Sequence, residues 1–280
     1  MSLLQLPIMQ WKYLAIAAVI GCGSSPSPVA PPTRVEVNGP QLWVQVAGEG
    51  DPTVVFEAGG GDDSSVWAKI EPRIRTLSSV RTVVYDRAGL GKSAPAPGPY
   101  RIDDEAAALK RALDRFGVRA PVVLVAHSYG GFIATLVAAT DARIAGVVFV
   151  DANLAEFFDD AELARLKAKY EPQFEQLRRT RPALADAMIP LMRAYPETVH
   201  RLRGVAFPPA IPVIDIVAEV SWGDTEAENA AMRRAHDAFV AGSPEREMVV
   251  ATGSGHYVMR DREDLVVSEV ARMVRIVRHR

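Results

Sequence analysis

The stretch that decides the fold is Val122-Val123-Leu124-Val125-Ala126-His127-Ser128-Tyr129-Gly130-Gly131. Its first half is an unbroken β-branched and apolar run, which predicts a strand over 121–128 buried on both faces rather than one with a wet side. Small residues then open a second apolar segment, GGFIATLVAAT (130–140), which reads as a helix. A serine at so sharp a strand-to-helix turn presents its hydroxyl above the sheet, and the turn is sterically possible only if the residues two before and two after it are small. Ala126 and Gly130 meet that requirement, Ala126 with one methyl more than the glycine usual there. The plainer alternative is a serine capping the helix N-terminus.

The same rhythm extends in both directions. VEVNG and QLWVQVAG (35–39, 41–48) predict two opening strands joined at Asn38-Gly39, a hairpin-turn pair. TVVFEAG (53–59), RTVVYDRAG (81–89), AGVVFVDA (145–152), PVIDIVAE (212–219) and EMVVATG (247–253) are further short apolar runs, each ending in polar or small residues. Helical spacing appears in DEAAALKRALDRFG (104–117), with Gly117 as its stop signal, and again over 262–278. Buried strands alternating with helices specify an α/β domain, a mostly parallel central sheet with helices on both faces. The rhythm breaks over 153–210, which is helix-rich and apolar in patches, and this stretch reads as a helical cap inserted between two strands, the plainer alternative being a pair of connecting helices. A cap placed over strand ends would wall a pocket, because open α/β sheets take ligands at the carboxyl ends of their strands.

Bulk properties narrow the function. The chain has 280 residues, enough for one large domain, and a formal net charge of −2, which gives nucleic acid no basic footprint to bind. One cysteine, Cys22, excludes an intrachain disulfide and a cysteine-built metal site, and the five histidines form no HExxH or similarly spaced pair. No metal or cofactor is expected. Residues 13–21, an apolar run preceded by Lys12, have the length of a signal-peptide core and are too short to span a bilayer as a mature helix. Val19-Ile20-Gly21-Cys22 resembles a bacterial lipobox. The expectation is a signal peptide over 1–21, lipidation at Cys22, a Ser/Pro-rich tether over 22–33, and an exported, membrane-anchored α/β domain over 34–280. The bland alternatives are an ordinary secretory signal with an incidental cysteine, or a mis-assigned start with no export at all.

Four segments, in order, carry a family resemblance: Phe56-Glu57-Ala58-Gly59-Gly60-Gly61, Tyr85-Asp86-Arg87-Ala88-Gly89-Leu90-Gly91-Lys92-Ser93, the turn at Ser128, and Gly253-Ser254-Gly255-His256-Tyr257. Together they resemble the α/β-hydrolase fold family over about residues 34–280, the cap excepted. The resemblance implies acyl transfer with Ser128 as nucleophile and His256, on the loop after the last strand, as its base. It also implies an oxyanion hole from the amides of Tyr129 and Gly60, with Gly61 one position off. Ala58-Gly59 stands where the family often has His-Gly, so a loop-bracing imidazole is missing. The 85–93 segment is expected to shape loops rather than react.

The acid partner of His256 is the open member. At the family's usual place, after PVIDIVAE, this chain has Ser221. Asp151, at the carboxyl end of the strand next to Ser128, is the first choice, followed by Glu219 and Asp224. Asp215, mid-strand, reads as a buried polar partner. The remaining histidines fit a base less well, and His127 points away from the serine by strand alternation. The activity so implied is hydrolysis of a small-molecule carboxylic ester. The alternatives are an amide or peptide substrate, or a non-catalytic binding protein on the same scaffold. A serine at the turn argues against related epoxide hydrolases and haloalkane dehalogenases, which use aspartate there.

Overall fold

The computed structural model describes residues 31–36 and 40–280. The expected leader, Cys22, most of the tether and the Asn38-Gly39 turn lie outside the described residues. Eight strands form one sheet: β1 (Thr33–Glu36), β2 (Gln41–Ala47), β3 (Thr53–Glu57), β4 (Arg81–Tyr85), β5 (Val122–His127), β6 (Ile144–Val150), β7 (Val213–Ala218) and β8 (Arg246–Ala251). Their spatial order is β1-β2-β4-β3-β5-β6-β7-β8, antiparallel at β1/β2 and β2/β4 and parallel from β4 to β8. The α/β architecture read from the sequence is the one observed.

Strand parity builds two cores. Val122, Leu124 and Ala126 of β5 face the layer that holds α2 (Ile102–Arg115) and α3 (Gly130–Thr140), together with Val147 and Phe149 of β6. Val123 and Val125 face the other layer, with Val148 and Val150 of β6, residues of α10 (Glu263–Arg278), and Ile74 of α1 (Glu71–Ser78). Successive residues of a strand point to opposite faces, so a continuous apolar run is what two-sided burial demands. Each of these fully buried aliphatic or aromatic side chains contributes roughly 1.5–3 kcal/mol from water exclusion.

Between β6 and β7 the chain forms four α-helices, α4 (Asp160–Tyr170), α5 (Phe174–Thr180), α6 (Pro182–Arg193) and α7 (Tyr195–Arg203), with two short 3-10 turns among them. After β7 come α8 (Glu226–Ala241), then β8, the single turn α9 (Val258–Asp261) and α10. Thr225 caps α8: its hydroxyl accepts from the Glu228 amide at 3.2 Å while Glu228 returns a bond to the Thr225 amide, a reciprocal pair that fixes where the loop after β7 ends. Among the described residues no helix is long and apolar enough to cross a membrane.

Candidate active site

The turn at Ser128 is built by the register of β5 against its neighbours. Ser128 has φ +51°, a left-handed conformation that costs a non-glycine residue of order 1 kcal/mol. The strain is held in place on both sides: the Ser128 amide donates to Val150 O at 3.4 Å, and the Ser128 carbonyl accepts from Gly131 N at 2.9 Å and Asn153 N at 2.8 Å. The need for small residues is literal. A methyl on Gly130 would lie 2.7 Å from both Ala58 O and Glu57 Cγ, and one on Gly131 would lie 2.7 Å from Ala152 Cβ. α3 therefore leaves the sheet in contact with the ends of β3 and β6.

Three side chains meet above these strand ends. His256 Nε2 is 3.0 Å from Ser128 Oγ, and His256 Nδ1 is 2.6 Å from Asp151 Oδ2. Asp151 follows β6 directly, also in the left-handed region at φ +44°, with its amide donating to Ile216 O at 2.7 Å. Its carboxylate is buried and well satisfied: Oδ1 accepts from the Ala218 amide at 2.9 Å, and Oδ2 accepts from Ser221 Oγ at 2.6 Å as well as from His256. Burial alone would raise this carboxyl, but the His256 hydrogen bond and charge, with the Ser221 and Ala218 donors, outweigh it and hold the group below its ordinary range. An ionised carboxylate only accepts, so Nδ1 carries the proton and Nε2 offers its lone pair to the serine hydroxyl.

Ser221, at the position where an acid was expected by family analogy, thus serves as a donor to the acid supplied by the neighbouring strand. The other two candidate acids are occupied elsewhere. Glu219 accepts from the Gly253 amide at 2.5 Å, and Asp224 is an exposed partner of Lys169 at 2.6 Å and Arg165 at 3.1 Å. Asp215 pairs instead with His236 Nδ1 at 2.7 Å. His127 is buried, its ring packed 4.6 Å from the His256 ring and held by a 3.1 Å bond from Nε2 to the His256 carbonyl. Burial, followed by the neighbouring His256, pushes His127 down to about 3, so it is neutral at ordinary pH.

The glycine loop lies against the serine. A methyl on Gly59 would sit 3.2 Å from Ser128 Cβ, and one on Gly60 would sit 3.4 Å from Tyr129 Cβ. Gly61 has φ +76° and borders Met188 of α6. Among the described residues neither the Gly60 nor the Tyr129 amide has an intramolecular acceptor. Both residues line the cavity that holds Ser128.

Sequence reasoning missed what braces this loop. Arg87 is buried and donates from Nη1 to Ala58 O and from Nη2 to Gly59 O, both at 2.5 Å, while Nη1 also pairs with buried Glu57 at 2.7 Å. The Tyr85 hydroxyl donates to the other Glu57 oxygen. A guanidinium thus holds the two carbonyls ahead of Gly60, where the absent imidazole left the loop unexplained. A signal was present: Glu57 and Arg87 are opposite charges at the ends of adjacent buried strands. Asp86 supports the same region, accepting from Ser64 N at 2.8 Å and Lys92 N at 2.9 Å. The far wall is held through Tyr129, whose hydroxyl accepts from Tyr100 at 2.9 Å and lies 3.4 Å from Thr198 Oγ1 of α7.

Ser128 and His256 open into a cavity of about 660 Å³, walled by α4, α5 and α6 through side chains such as Leu166, Phe174, Leu177, Leu184 and Met188, with Trp222 and Tyr257. That volume suits a small organic molecule. Among the described residues no group of three His, Cys, Asp or Glu side chains is placed to hold a metal ion.

Comparison with known proteins bears on the family and the fold. The model of the alpha/beta hydrolase family matches residues 54–269. YqjL of Bacillus subtilis is 35% identical over 105 residues, 37% of this chain and 41% of that protein. The chain spans less than half the length of the curated relatives it matches. Among solved structures, an esterase from Exiguobacterium antarcticum superposes with a TM-score of 0.64 at 15% identity, over 85% of this chain and 97% of that one. A thermophilic esterase from Thermogutta terrifontis superposes at 0.60 and 20% identity, over 89% and 99%. At these identities the superpositions speak to the fold alone.

Proposed function

Because the chain belongs to the alpha/beta hydrolase family, we propose that it is a serine hydrolase that cleaves a carboxylic ester through an acyl-enzyme intermediate. The observation that carries this reading is the relay in which one imidazole bonds a strained serine on one side and a buried carboxylate on the other. In the proposed sequence Ser128 Oγ attacks the ester carbonyl as its proton passes to His256 Nε2. The imidazolium so formed is stabilised by Asp151, and the negative oxygen of the tetrahedral intermediate is held by the Gly60 and Tyr129 amides. His256 then returns the proton to the leaving alcohol. Water, deprotonated by the same nitrogen, releases the acid and restores the serine. Atoms balance with no further group: one ester and one water give one acid and one alcohol.

The α4–α7 segment serves as the cap in this reading, its apolar side chains receiving the substrate's carbon skeleton. The test is p-nitrophenyl acetate turnover together with labelling by a neutral fluorophosphonate and mapping of the modified peptide. Turnover and a label on Ser128, both absent in Ser128→Ala, are expected. Equal, negligible rates in the two proteins with no label at residue 128 would instead favour a binding protein on a hydrolase scaffold.

A further inference from the structure

Two charged side chains line the cavity without a part in that mechanism, Arg181 on the cap and Asp62 beside the nucleophile, and no ion pair joins them. Asp62, three residues past Gly59 on the oxyanion loop, lines the cavity beside Ser128 and Tyr257. It is the one acidic side chain among the described residues that does so. A methyl placed on Gly59 would be 2.9 Å from Asp62 Oδ2 and 3.2 Å from Ser128 Cβ, so the carboxylate and the nucleophile flank the same point. Its neighbours do not neutralise it. Tyr257 donates a long bond to each oxygen, at 3.2 and 3.3 Å, and the neutral His127 ring lies 3.8 Å off with Nδ1 lacking any partner. No Lys or Arg among the described residues comes within ion-pair distance of it. Arg260, Arg87 and His256 act on it from further away. Arg260 instead lies over the Tyr257 ring at 4.1 Å, and Arg87 is committed to Glu57 and the loop carbonyls. Burial therefore prevails over these cations and the Tyr257 bond, and the carboxyl stands above its ordinary range.

A lone carboxylate here is a defect for hydrolysis of a neutral ester. The reaction develops a negative oxygen at the neighbouring Gly60 and Tyr129 amides, and a second negative charge alongside opposes it. The conflict disappears if the substrate itself brings a positive charge. The surrounding lining suits one: Tyr170 and Trp222 stand in the same cavity, and aromatic faces attract ammonium groups.

Resting on the serine-hydrolase reading, we infer that Asp62 is a specificity-determining residue that selects substrates carrying an ammonium group within a few bonds of the scissile carbonyl. The ammonium pairs with Asp62 on binding, and the pair no longer burdens the oxyanion.

The experiment uses two isosteric p-nitrophenyl methylphosphonates, one bearing a choline arm and one a 3,3-dimethylbutyl arm, which differ only in charge. Ser128 Oγ displaces p-nitrophenolate from phosphorus in each case, so the released chromophore reports the second-order labelling rate. The choline probe should label the wild-type protein at least about tenfold faster, the range of one partly buried charge pair. That ratio should fall below about threefold in Asp62→Asn, which keeps a hydrogen-bond acceptor but removes the charge. Tetramethylammonium ion should slow labelling by the neutral probe in the wild type and not in the variant. Equal rates for the two probes in the wild type, or an unchanged ratio in Asp62→Asn, would overturn the inference. The wild-type ratio decides even if the variant fails to fold. Labelling of Ser128 by the neutral probe at any rate upholds the hydrolase reading separately, and its absence removes both.

Discussion

The acid's position can be tested by moving it. In Asp151→Asn, the Ala218 amide donates to the atom that is Oδ1, so the new side chain must keep its carbonyl oxygen there. Its NH2 group then faces His256 Nδ1 across the 2.6 Å contact now made by Oδ2. Two donors cannot share that contact, so the imidazole is driven to the tautomer with its proton on Nε2, opposite the serine hydroxyl it must deprotonate. A wrong-tautomer imidazole in such a triad costs about 10⁴ in kcat, equivalent to about 5.5 kcal/mol of barrier. Ser221 supplies the second half of the experiment. Its Oγ is 2.6 Å from Asp151 Oδ2, and an aspartate side chain is one bond longer than serine. A carboxylate placed at 221 therefore reaches close to that oxygen's position once Asp151→Ala has emptied it. Ser221→Asp added to Asp151→Ala should recover about 10- to 100-fold of the rate that Asp151→Ala loses, short of full because the Ala218 bond cannot orient the transplanted group. Steady-state turnover of p-nitrophenyl acetate, with circular dichroism to confirm folding, reads both steps. Asp151→Asn retaining more than a tenth of wild-type kcat would show that His256 is not oriented by Asp151. A folded double variant no faster than Asp151→Ala would show that the loop after β7 cannot supply the acid.

Arg87→Met leaves Glu57 buried and without its ion pair. It should destabilise the fold by about 3–5 kcal/mol in urea melts, and Arg87→Lys, which keeps the charge but loses the fork across Ala58 O and Gly59 O, should be milder in stability yet still lower kcat; wild-type kcat in Arg87→Lys would mean that the fork does not set the oxyanion loop. His236 gives a pH signature. Burial would lower it, but the charge and hydrogen bond of Asp215 outweigh burial and raise it above an ordinary histidine. The folded state therefore holds this proton more tightly than the unfolded chain. Its contribution is complete below the unfolded value of about 6.5 and is lost as pH rises through the higher folded value, at about 1.4 kcal/mol for each unit of separation. The urea midpoint of His236→Asn should thus trail wild type most at pH 5.5 and least at pH 9; a gap that widens with pH would reverse the assignment.

Much of this architecture was readable from the chain because each feature had a local cause. A two-sided apolar run must be an inner strand, so 121–128 and 145–152 fell where β5 and β6 are found, and Gly117 marked the end of α2. The juxtaposition of Ser128 and His256 was readable because both sit on turns at the carboxyl ends of strands in one parallel sheet. The choice among Asp151, Glu219 and Asp224 was not, since it depends on register. Val150 pairs with Ile216, which places the Asp151 carboxylate beside the Ala218 amide and under His256, while Glu219 turns toward Gly253 and Asp224 toward α4. A slip of one residue would have reversed those directions.

The Glu57–Arg87 pair shows the same limit from the other side. The register of β3 against β4, with Phe56 beside Val84, sets Glu57 next to Tyr85 and brings Arg87 under the carbonyls of Ala58 and Gly59. Residues distant in the chain thereby replace the single imidazole that family analogy found missing. An ion pair inside a protein adds little to stability in itself, because desolvation offsets most of the attraction. Its retention in this place is better explained by geometry. A guanidinium fork fixes two consecutive carbonyls in one plane, and so fixes the direction of the next amide, Gly60, toward the space above Ser128. The loop's precision then depends on one side chain from β4's end, whose ion pair is made with Glu57 and not with Asp62 further along the same loop.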